Sequence, residues 1–174
     1  MTDPDQHDPE SIEPESIDPA HGATPYATSQ VPDRVERLSR FVPAPPEAIF
    51  ELLGDPASHS LIDGSGSVRG SADVGPERLT LGSKFGMQMR LGVPYRITNE
   101  VVEFDEPRVI AWRHLGGHIW RYVLEPTAGG TMVTEEFDWR PAKSATALRV
   151  MRAPTRNRAS IEATLDRLAA HFSG

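Results

Sequence analysis

The sequence predicts an α+β domain, in which an antiparallel sheet of six to seven strands wraps around a long C-terminal helix and two short helices follow the first strand. Two patterns support this prediction. In residues 109–139, apolar and polar side chains alternate with a period of two between glycine turns, which is typical of three antiparallel strands with one covered face. In residues 161–172, apolar side chains recur at spacings of four, three and four, as on an amphipathic helix. One helix cannot cover the full width of such a sheet, so we expect a gap between them.

The first elements are predicted to be a strand and two short helices. The strand begins near Arg34 and ends at Val42-Pro43. Pro45-Pro46 then begins a helix, because proline lacks an N–H that the first helical turn leaves unbonded in any case. Gly54-Asp55-Pro56 ends this helix, and residues 57–62 are expected to form the second.

Further strands are predicted in the middle of the chain, before it becomes helical again. Two strands are expected within residues 67–91, separated by a polar connection at 70–82, and another within 95–104. After Trp139 the pattern is helical, and Pro154 interrupts or restarts the helix because it removes a backbone hydrogen bond.

Composition limits the possible functions. Eight of the 25 acidic residues precede Arg34, so the rest of the chain carries 17 acids against all 18 bases, and a nucleic-acid partner gains no support. The absence of cysteine excludes disulfides and thiolate metal sites and fits a cytoplasmic location. No apolar run approaches about 18 residues, so we expect no integral membrane association. We also expect no cofactor, and either a monomer or a homodimer.

The chain is predicted to divide into a disordered acidic leader, residues 1–31, and one folded domain, residues 32–174. The leader contains five prolines and repeats the motif Pro-Glu-Ser-Ile, and it holds too few large apolar groups to offset the entropy of ordering. We expect it to act as a solvating segment, with an interaction tail as the alternative.

The glycine pair Gly116-Gly117 sets the register of the first central hairpin. A two-residue turn would place Arg113 opposite Trp120 and Trp112 opposite Arg121, giving two arginine–tryptophan pairs on opposite faces. The arrangement fits two alternatives: both arginines cover aromatic surface with their stems, or the inward one offers a charged anchor inside an apolar cavity. The same turn would send the two histidines that flank it, at 114 and 118, to opposite faces, so we expect no metal site there.

Three segments of the chain resemble the SRPBCC superfamily: VPAPPEAIFELLGDP, VVEFDEPRVIAWR and IWRYVLEPTAGGTMVTEEFDW. That superfamily has the helix-grip fold and includes START lipid-transfer domains, the pollen-allergen fold, polyketide cyclases and aromatases, and Hsp90-activator-like domains. The similarity covers about Arg34 to Phe172. It implies a hydrophobic cavity closed by the helix from Pro154 to Phe172, but the shared architecture does not itself identify an activity.

We expect the ligand to be bound by apolar and aromatic side chains with one polar anchor, namely Met87, Met89, Trp112, Arg113, Trp120, Tyr122, Phe137, Trp139, Met151, Ile161 and Leu165. The catalytic candidates are His118 and Glu135, since both share strand faces with aromatic residues. Desolvation between Val133 and Phe137 would raise the pKa of Glu135, unless this side chain lies at a sheet end and reaches water.

Three functional interpretations follow. The first is a non-enzymatic cytosolic carrier of a hydrophobic small molecule such as a lipid, fatty acyl or polyketide-like ligand. The second is a cyclase, dehydratase or aromatase-like enzyme that moves protons with polar cavity groups. The third is a regulatory or co-chaperone-like interaction module that docks through the acidic leader.

Overall fold

The computed structural model describes residues 33–71 and 75–174, so the predicted leader lies outside the described residues. The described elements are β1 Val35–Val42, α1 Pro46–Gly54, α2 His59–Ile62, β2 Val68–Ser71, β3 Lys84–Leu91, β4 Val93–Asp105, β5 Val109–His114, β6 Ile119–Thr127, β7 Gly130–Asp138, α3 Ala145–Val150 and α4 Ala153–His171. The strands form one antiparallel sheet in the order β1-β7-β6-β5-β4-β3-β2. The predicted α+β fold and order of elements are confirmed.

Proline and backbone strain set the helix boundaries. α1 begins at Pro46, with Glu47 in its first turn, and the carbonyl of its last residue, Gly54, accepts a hydrogen bond from Leu79 N at 2.8 Å. α3 and α4 are separated at Arg152, whose left-handed backbone has a φ of 54°. The interruption predicted at Pro154 is therefore confirmed, and the turn itself lies two residues earlier.

The two longer helices cover different parts of the sheet. α4 packs mainly against β1 and β7, where Ile161, Leu165 and Leu168 are fully buried. Burial of each such side chain contributes roughly 1.5–3 kcal/mol. α1 contacts β5 and β6, and its Phe50 ring meets Phe104 edge-on with centroids 5.3 Å apart. Neither helix fills the space over the middle of the sheet. Among the described helices, none has both the length and the apolar character needed to cross a bilayer.

The first central hairpin has a different register from the one predicted. His114 N donates to the His118 carbonyl at 2.9 Å, so Leu115, Gly116 and Gly117 form a three-residue turn. Gly117 has a φ of +91°, and a Cβ there would lie 2.7 Å from the Pro141 carbonyl oxygen, so glycine is required.

This longer turn shifts the pairing by one residue. Trp112 lies opposite Trp120, and Arg113 lies opposite Ile119. The predicted arginine–tryptophan pairs are therefore wrong. A one-residue shift also changes which side chains share a face, so His114 and His118 lie together instead of on opposite faces.

Candidate ligand-binding cavity

A cavity of about 540 Å³ lies between the concave face of the sheet, α3, the first half of α4 and the loop after α2. Its buried end is formed by side chains that solvent hardly reaches, including Met87, Asn99, Tyr122 and Glu135. Its mouth is formed by exposed residues, namely Ser65, Tyr95, Lys143, Ser144, Ala147, Met151 and Arg156. The size falls within the range of about 300–1,000 Å³ that is usual for small-molecule sites.

Packed aromatic rings form a continuous part of the cavity wall. The Trp112 indole stacks on the His59 imidazole at 5.0 Å and meets Tyr122 at 5.6 Å. Further along the wall, Phe137 packs against Trp120 at 4.9 Å and against His118 at 5.1 Å. Rings held by one another in this way keep a rigid wall, which suits flat, apolar ligands.

Glu135 and Tyr122 form a polar pair at the buried end of the cavity. They lie directly opposite each other on β7 and β6, and the Tyr122 hydroxyl donates a hydrogen bond to the Glu135 carboxyl group. Burial raises the pKa of Glu135 to about 8, more than the Tyr122 hydrogen bond lowers it, and the nearby Asp63 charge adds to the rise. At pH 7 the Glu135 carboxyl group is therefore mostly protonated. Glu135 Oε2 is buried without a hydrogen-bond partner among the described residues.

His114 and His118 stack face to face at the base of the Leu115–Gly117 turn, with ring centroids 4.5 Å apart and an interplanar angle of 13°. His114 Nδ1 accepts the Gly116 N–H at 3.0 Å, so this nitrogen carries no proton. Burial lowers the pKa of His118 to about 4, and the neighbouring His114 contributes. His118 is therefore neutral at physiological pH. Its Nδ1 is buried and lacks a hydrogen-bond partner within the part of the chain that the structure describes.

The loop that follows α2 closes one side of the cavity. Gly64 N donates to Thr164 Oγ1 on α4 at 3.0 Å, and a Cβ on Gly64 would lie 2.3 Å from the Ser160 carbonyl oxygen. The Asp63 carboxylate accepts hydrogen bonds from Ser65 N at 3.0 Å and Val68 N at 2.8 Å. Arg167 also donates to the Asp63 carbonyl. The Asp-Gly-Ser sequence signals the local turn, but its docking on α4 depends on tertiary packing.

Sequence reasoning also missed His59, which appeared isolated along the chain. Its ring is buried, and Nε2 donates to the Leu53 carbonyl at 2.8 Å, which fixes the proton on that nitrogen when the ring is neutral. Burial lowers the pKa of His59. The ring therefore serves as a neutral, fixed part of the aromatic wall.

Nine of the predicted site residues lie around the cavity: Met87, Met89, Trp112, His118, Trp120, Tyr122, Glu135, Phe137 and Met151. Whether they contact a ligand remains a prediction. The alternative that Glu135 reaches water at a sheet end is wrong, because its side chain is only 3% exposed.

Four predicted residues lie outside the cavity. Arg113 is exposed on the opposite sheet face because of the shifted register. Trp139 is buried between the guanidinium groups of Arg34 and Arg149, 5.9 and 5.3 Å from its ring. Ile161 and Leu165 fill the core between α4 and the sheet.

The expected arginine anchor is absent from the cavity wall as the structure describes it. Arg121 lies on the outer face, where it bonds to Glu103 at 2.5 and 2.9 Å and to Glu136 at 2.6 Å. Arg37 also contacts Glu136. The cavity polar groups are thus carboxyl, hydroxyl, amide and imidazole, with Lys143 and Arg156 at the mouth. Among the described residues, no group of three or more His, Asp or Glu side chains is placed to hold a metal ion.

Residues 36–173 match the model of the family described as polyketide cyclase / dehydrase and lipid transport. The chain belongs to this family. The match extends from β1 to the end of α4, and with the sheet and C-terminal helix described above it places the chain in the SRPBCC superfamily, which has the helix-grip fold.

Known relatives extend this comparison. The uncharacterized protein Rv0088 of Mycobacterium tuberculosis is 41% identical over 150 residues, covering 82% of this chain and 65% of that protein. The chain thus spans 65% of the length of this relative. Protein Ms6760 from Mycobacterium smegmatis has a TM-score of 0.62 at 18% identity, over 80% of this chain and 91% of that one. The Aha1 dimer from Colwellia psychrerythraea has a TM-score of 0.53 at 15% identity, over 78% and 96%. At these identities the two structures show a shared fold alone.

Proposed function

We propose that the protein binds and carries a hydrophobic small molecule, of the lipid, fatty acyl or polyketide-like class, in the cavity between the sheet and the C-terminal helices. The observation that carries the proposal is the aromatic cavity of about 540 Å³ with two unpartnered polar atoms, Glu135 Oε2 and His118 Nδ1. The aromatic walls supply affinity by burying apolar surface, and the two polar atoms fix the orientation of the ligand.

The ionisation of the cavity narrows the proposed ligand class. Glu135 is mostly protonated and His118 is neutral at pH 7, so the buried end offers an uncharged acid and the wall beside the Gly116-Gly117 turn offers an uncharged imidazole. A carboxylate placed there would lose its hydration without meeting a cation. We infer that the buried end of the ligand is neutral and carries a hydroxyl or carbonyl group, while any anionic group lies at the mouth near Lys143 and Arg156.

Binding is tested with a matched pair of flat aromatic probes, 2-naphthol and 2-naphthoate, monitored at pH 7 by quenching of tryptophan fluorescence. We expect the neutral naphthol to bind at least about tenfold more tightly, because the anion must be desolvated at the buried end. Equal binding, or tighter binding of the carboxylate, would contradict a neutral buried end. Organic extraction of purified protein followed by mass spectrometry then identifies the native ligand class.

A variant pair tests whether the cavity is the binding site. Ala147→Trp adds a large ring to an exposed residue of the cavity mouth, whereas Ala170→Trp adds the same ring to exposed α4 surface outside the cavity. We expect the first to weaken naphthol binding at least about tenfold and the second to leave it unchanged. If both variants bind as the wild type does, the ligand lies elsewhere.

A second candidate function is an acid–base enzyme of the cyclase or dehydratase type. The supporting observation is that Glu135, with a pKa of about 8, lies in the cavity beside Tyr122 and can give or take a proton near neutral pH. Glu135→Gln would then abolish turnover of a polyketide-like substrate while ligand affinity stays within about threefold. Parallel loss of affinity and activity would remove the support for a catalytic role.

The interaction-module hypothesis is tested separately, because its leader lies outside the described residues. A pulldown with the full chain and with a chain starting at Asp33 distinguishes it from the other two functions, and identical partner sets would argue against it. We propose a cytoplasmic location for the carrier and either a monomeric or a homodimeric state. Sedimentation of the purified protein distinguishes the two oligomeric states.

A further inference from the structure

We propose that the mouth of the cavity docks on an anionic phospholipid bilayer, so that a lipophilic ligand passes between cavity and membrane without crossing water. The docking surface consists of two facing lips. The α3 lip is residues 143–156, and the hairpin lip is residues 90–96 between β3 and β4. Both lips contribute residues to the cavity mouth, namely Lys143, Met151 and Arg156 from one and Tyr95 from the other.

The sequence places positive charge at both lips although the chain has a net charge of −7. Residues 139–161 contain six arginines and lysines and no acidic residue. Residues 90–96, the hairpin lip, contain Arg90 and Arg96 and again no acid. Within the described residues, Lys143, Arg152 and Arg156 of the α3 lip form no ion pair, so their charges remain available to an external anion.

Acidic residues concentrate at the opposite end of the sheet. β4 runs from Val93 in the hairpin lip to Asp105 at the far end, where Glu106 and Glu51 bind Arg78 at 2.6 and 2.5 Å. Arg78 and Arg108 at the far end are thus paired with acids. Lys143 and Arg156 at the mouth have no ion pair among the described residues, so the unpaired positive charge of the mouth would attract an anionic surface.

Both lips also expose large apolar side chains next to their basic residues. Val150 is 78% exposed and Met151 57%, while Val93 is 70% exposed across the mouth. No residue of α3 is fully buried, and neither Val150 nor Met151 belongs to the side chains that pack against the core. An exposed apolar group flanked by lysine and arginine suits the interface of a bilayer, where the apolar group enters the acyl region and the cation meets a phosphate.

A cluster of three arginines lies at the hairpin lip, two of them in the lip and Arg69 in the neighbouring strand β2. Arg69, Arg90 and Arg96 line a depression of about 470 Å³, which shares Met89 and Tyr95 with the main cavity. Guanidinium groups bind phosphate oxygens well because their N–H groups form a planar fork. The depression is therefore suited to a lipid phosphate beside the ligand entrance.

The bilayer is favoured over an acidic protein because apolar exposure occurs on both lips, whereas charge complementarity alone would need none. The test is flotation of the full chain with vesicles of phosphatidylcholine alone and with vesicles that contain about 30% phosphatidylglycerol. We expect binding only to the anionic vesicles, and weaker binding when salt rises from about 0.1 to 0.5 M, because salt screens the attraction.

Three double variants locate the surface. Each basic residue near an anionic bilayer strengthens binding about fivefold, so Lys143→Gln with Arg156→Gln, or Arg90→Gln with Arg96→Gln, should weaken partitioning by about 25-fold. Val150→Ser with Met151→Ser should reduce it by at least about fivefold. Arg78→Gln with Arg108→Gln removes the same charge at the acidic end and should change partitioning less than twofold. Circular dichroism confirms that each variant folds.

Several outcomes would overturn the docking proposal. The first is equal binding to neutral and anionic vesicles. The second is no binding to anionic vesicles, including the case in which the chain binds polyglutamate, a mimic of an acidic protein. The third is that the lip variants partition to the same extent as the charge-matched control. The vesicle assay needs no cavity ligand, so a failure of the carrier proposal leaves its result interpretable.

Discussion

Glu135 should make the protein less stable as pH rises from 6.5 to 8. Its carboxyl group has a pKa near 4.5 in an unfolded chain and about 8 in the folded one, because burial disfavours the charged form. A group with a raised folded pKa contributes stability that is fully present below the unfolded pKa and is lost as pH rises through the folded pKa. Below pH 4.5 the group is neutral in both states. Above it, the unfolded chain loses the proton first.

The size of the effect follows from the separation of the two pKa values. Each pKa unit corresponds to about 1.4 kcal/mol, so the full interval from 4.5 to 8 costs about 5 kcal/mol once Glu135 is ionised. Between pH 6.5 and 8 the carboxyl group accounts for a loss of about 2 kcal/mol. His118 has finished most of its titration above pH 6.5, so it offsets little of this loss.

Glu135→Gln isolates the effect, because glutamine keeps the shape and can accept the Tyr122 hydrogen bond without titrating. The assay is urea unfolding of both proteins at pH 6.5 and pH 8, from which the free energies of unfolding are compared. The wild type should lose about 2 kcal/mol more than the variant. Glu125→Gln, on exposed β6 surface, serves as a control that keeps the wild-type pH dependence. Equal pH dependence in the wild type and Glu135→Gln would refute the argument.

Other substitutions test the hairpin, the core and the histidine pair. Gly117→Ala should destabilise the fold by at least about 1 kcal/mol more than Gly129→Ala, measured by urea unfolding, because both sites have positive φ but only the first would place a Cβ against backbone. Leu165→Ala should cost about 2–5 kcal/mol and Leu61→Ala less than about 1, since the first side chain is fully buried and the second 61% exposed. The lowered pKa of His118 contributes stability above pH 6.5 that is lost as pH falls through about 4. Between pH 6.5 and 4 the wild type should therefore lose about 2–3 kcal/mol more of its free energy of unfolding than His118→Gln does. The same loss in both proteins would contradict this prediction.

The strands and helices were predictable because their boundaries depend on residues that are adjacent in the sequence. The boundaries of β1 and α1 follow from Val42-Pro43, Pro45-Pro46 and Gly54, and the stripe from Ile161 to Leu168 identifies the buried face of α4. The side chains of β6 were also assigned to one face correctly, since Trp120 and Tyr122 follow the period of a strand.

The hairpin register was not predictable from the same pattern. Gly116 and Gly117 both accept a left-handed backbone, so two- and three-residue turns fit the sequence equally well. The structure selects the longer one because the backbone of Pro141 lies against Gly117. That tertiary contact decides which face carries Arg113 and whether the two turn histidines meet.

The remaining cavity residues come from segments that are distant in sequence. Asp63 reaches the site because Gly64 lets its loop approach α4 closely, and His59 reaches it from α2, where it bonds to the Leu53 carbonyl. Ile161 and Leu165 have the same apolar character as cavity residues, but their contact with β1 and β7 makes them core. The apolar residues on one face of a helix do not show by their spacing which of them line a cavity and which pack in the core.

The unpartnered polar groups of the cavity reduce the stability of the folded protein, which supports a role for them in binding a ligand. Glu135 Oε2 and His118 Nδ1 are both desolvated without partners in the described structure, and an apolar side chain at either position would avoid this cost. Natural proteins leave buried polar groups without hydrogen-bond partners chiefly at functional sites. A neutral ligand whose hydroxyl group hydrogen-bonds to the Glu135 carboxyl group would recover the desolvation cost at that position. Such a ligand should therefore raise the unfolding temperature of the wild type more than that of Glu135→Leu, even if the variant is the more stable protein without ligand.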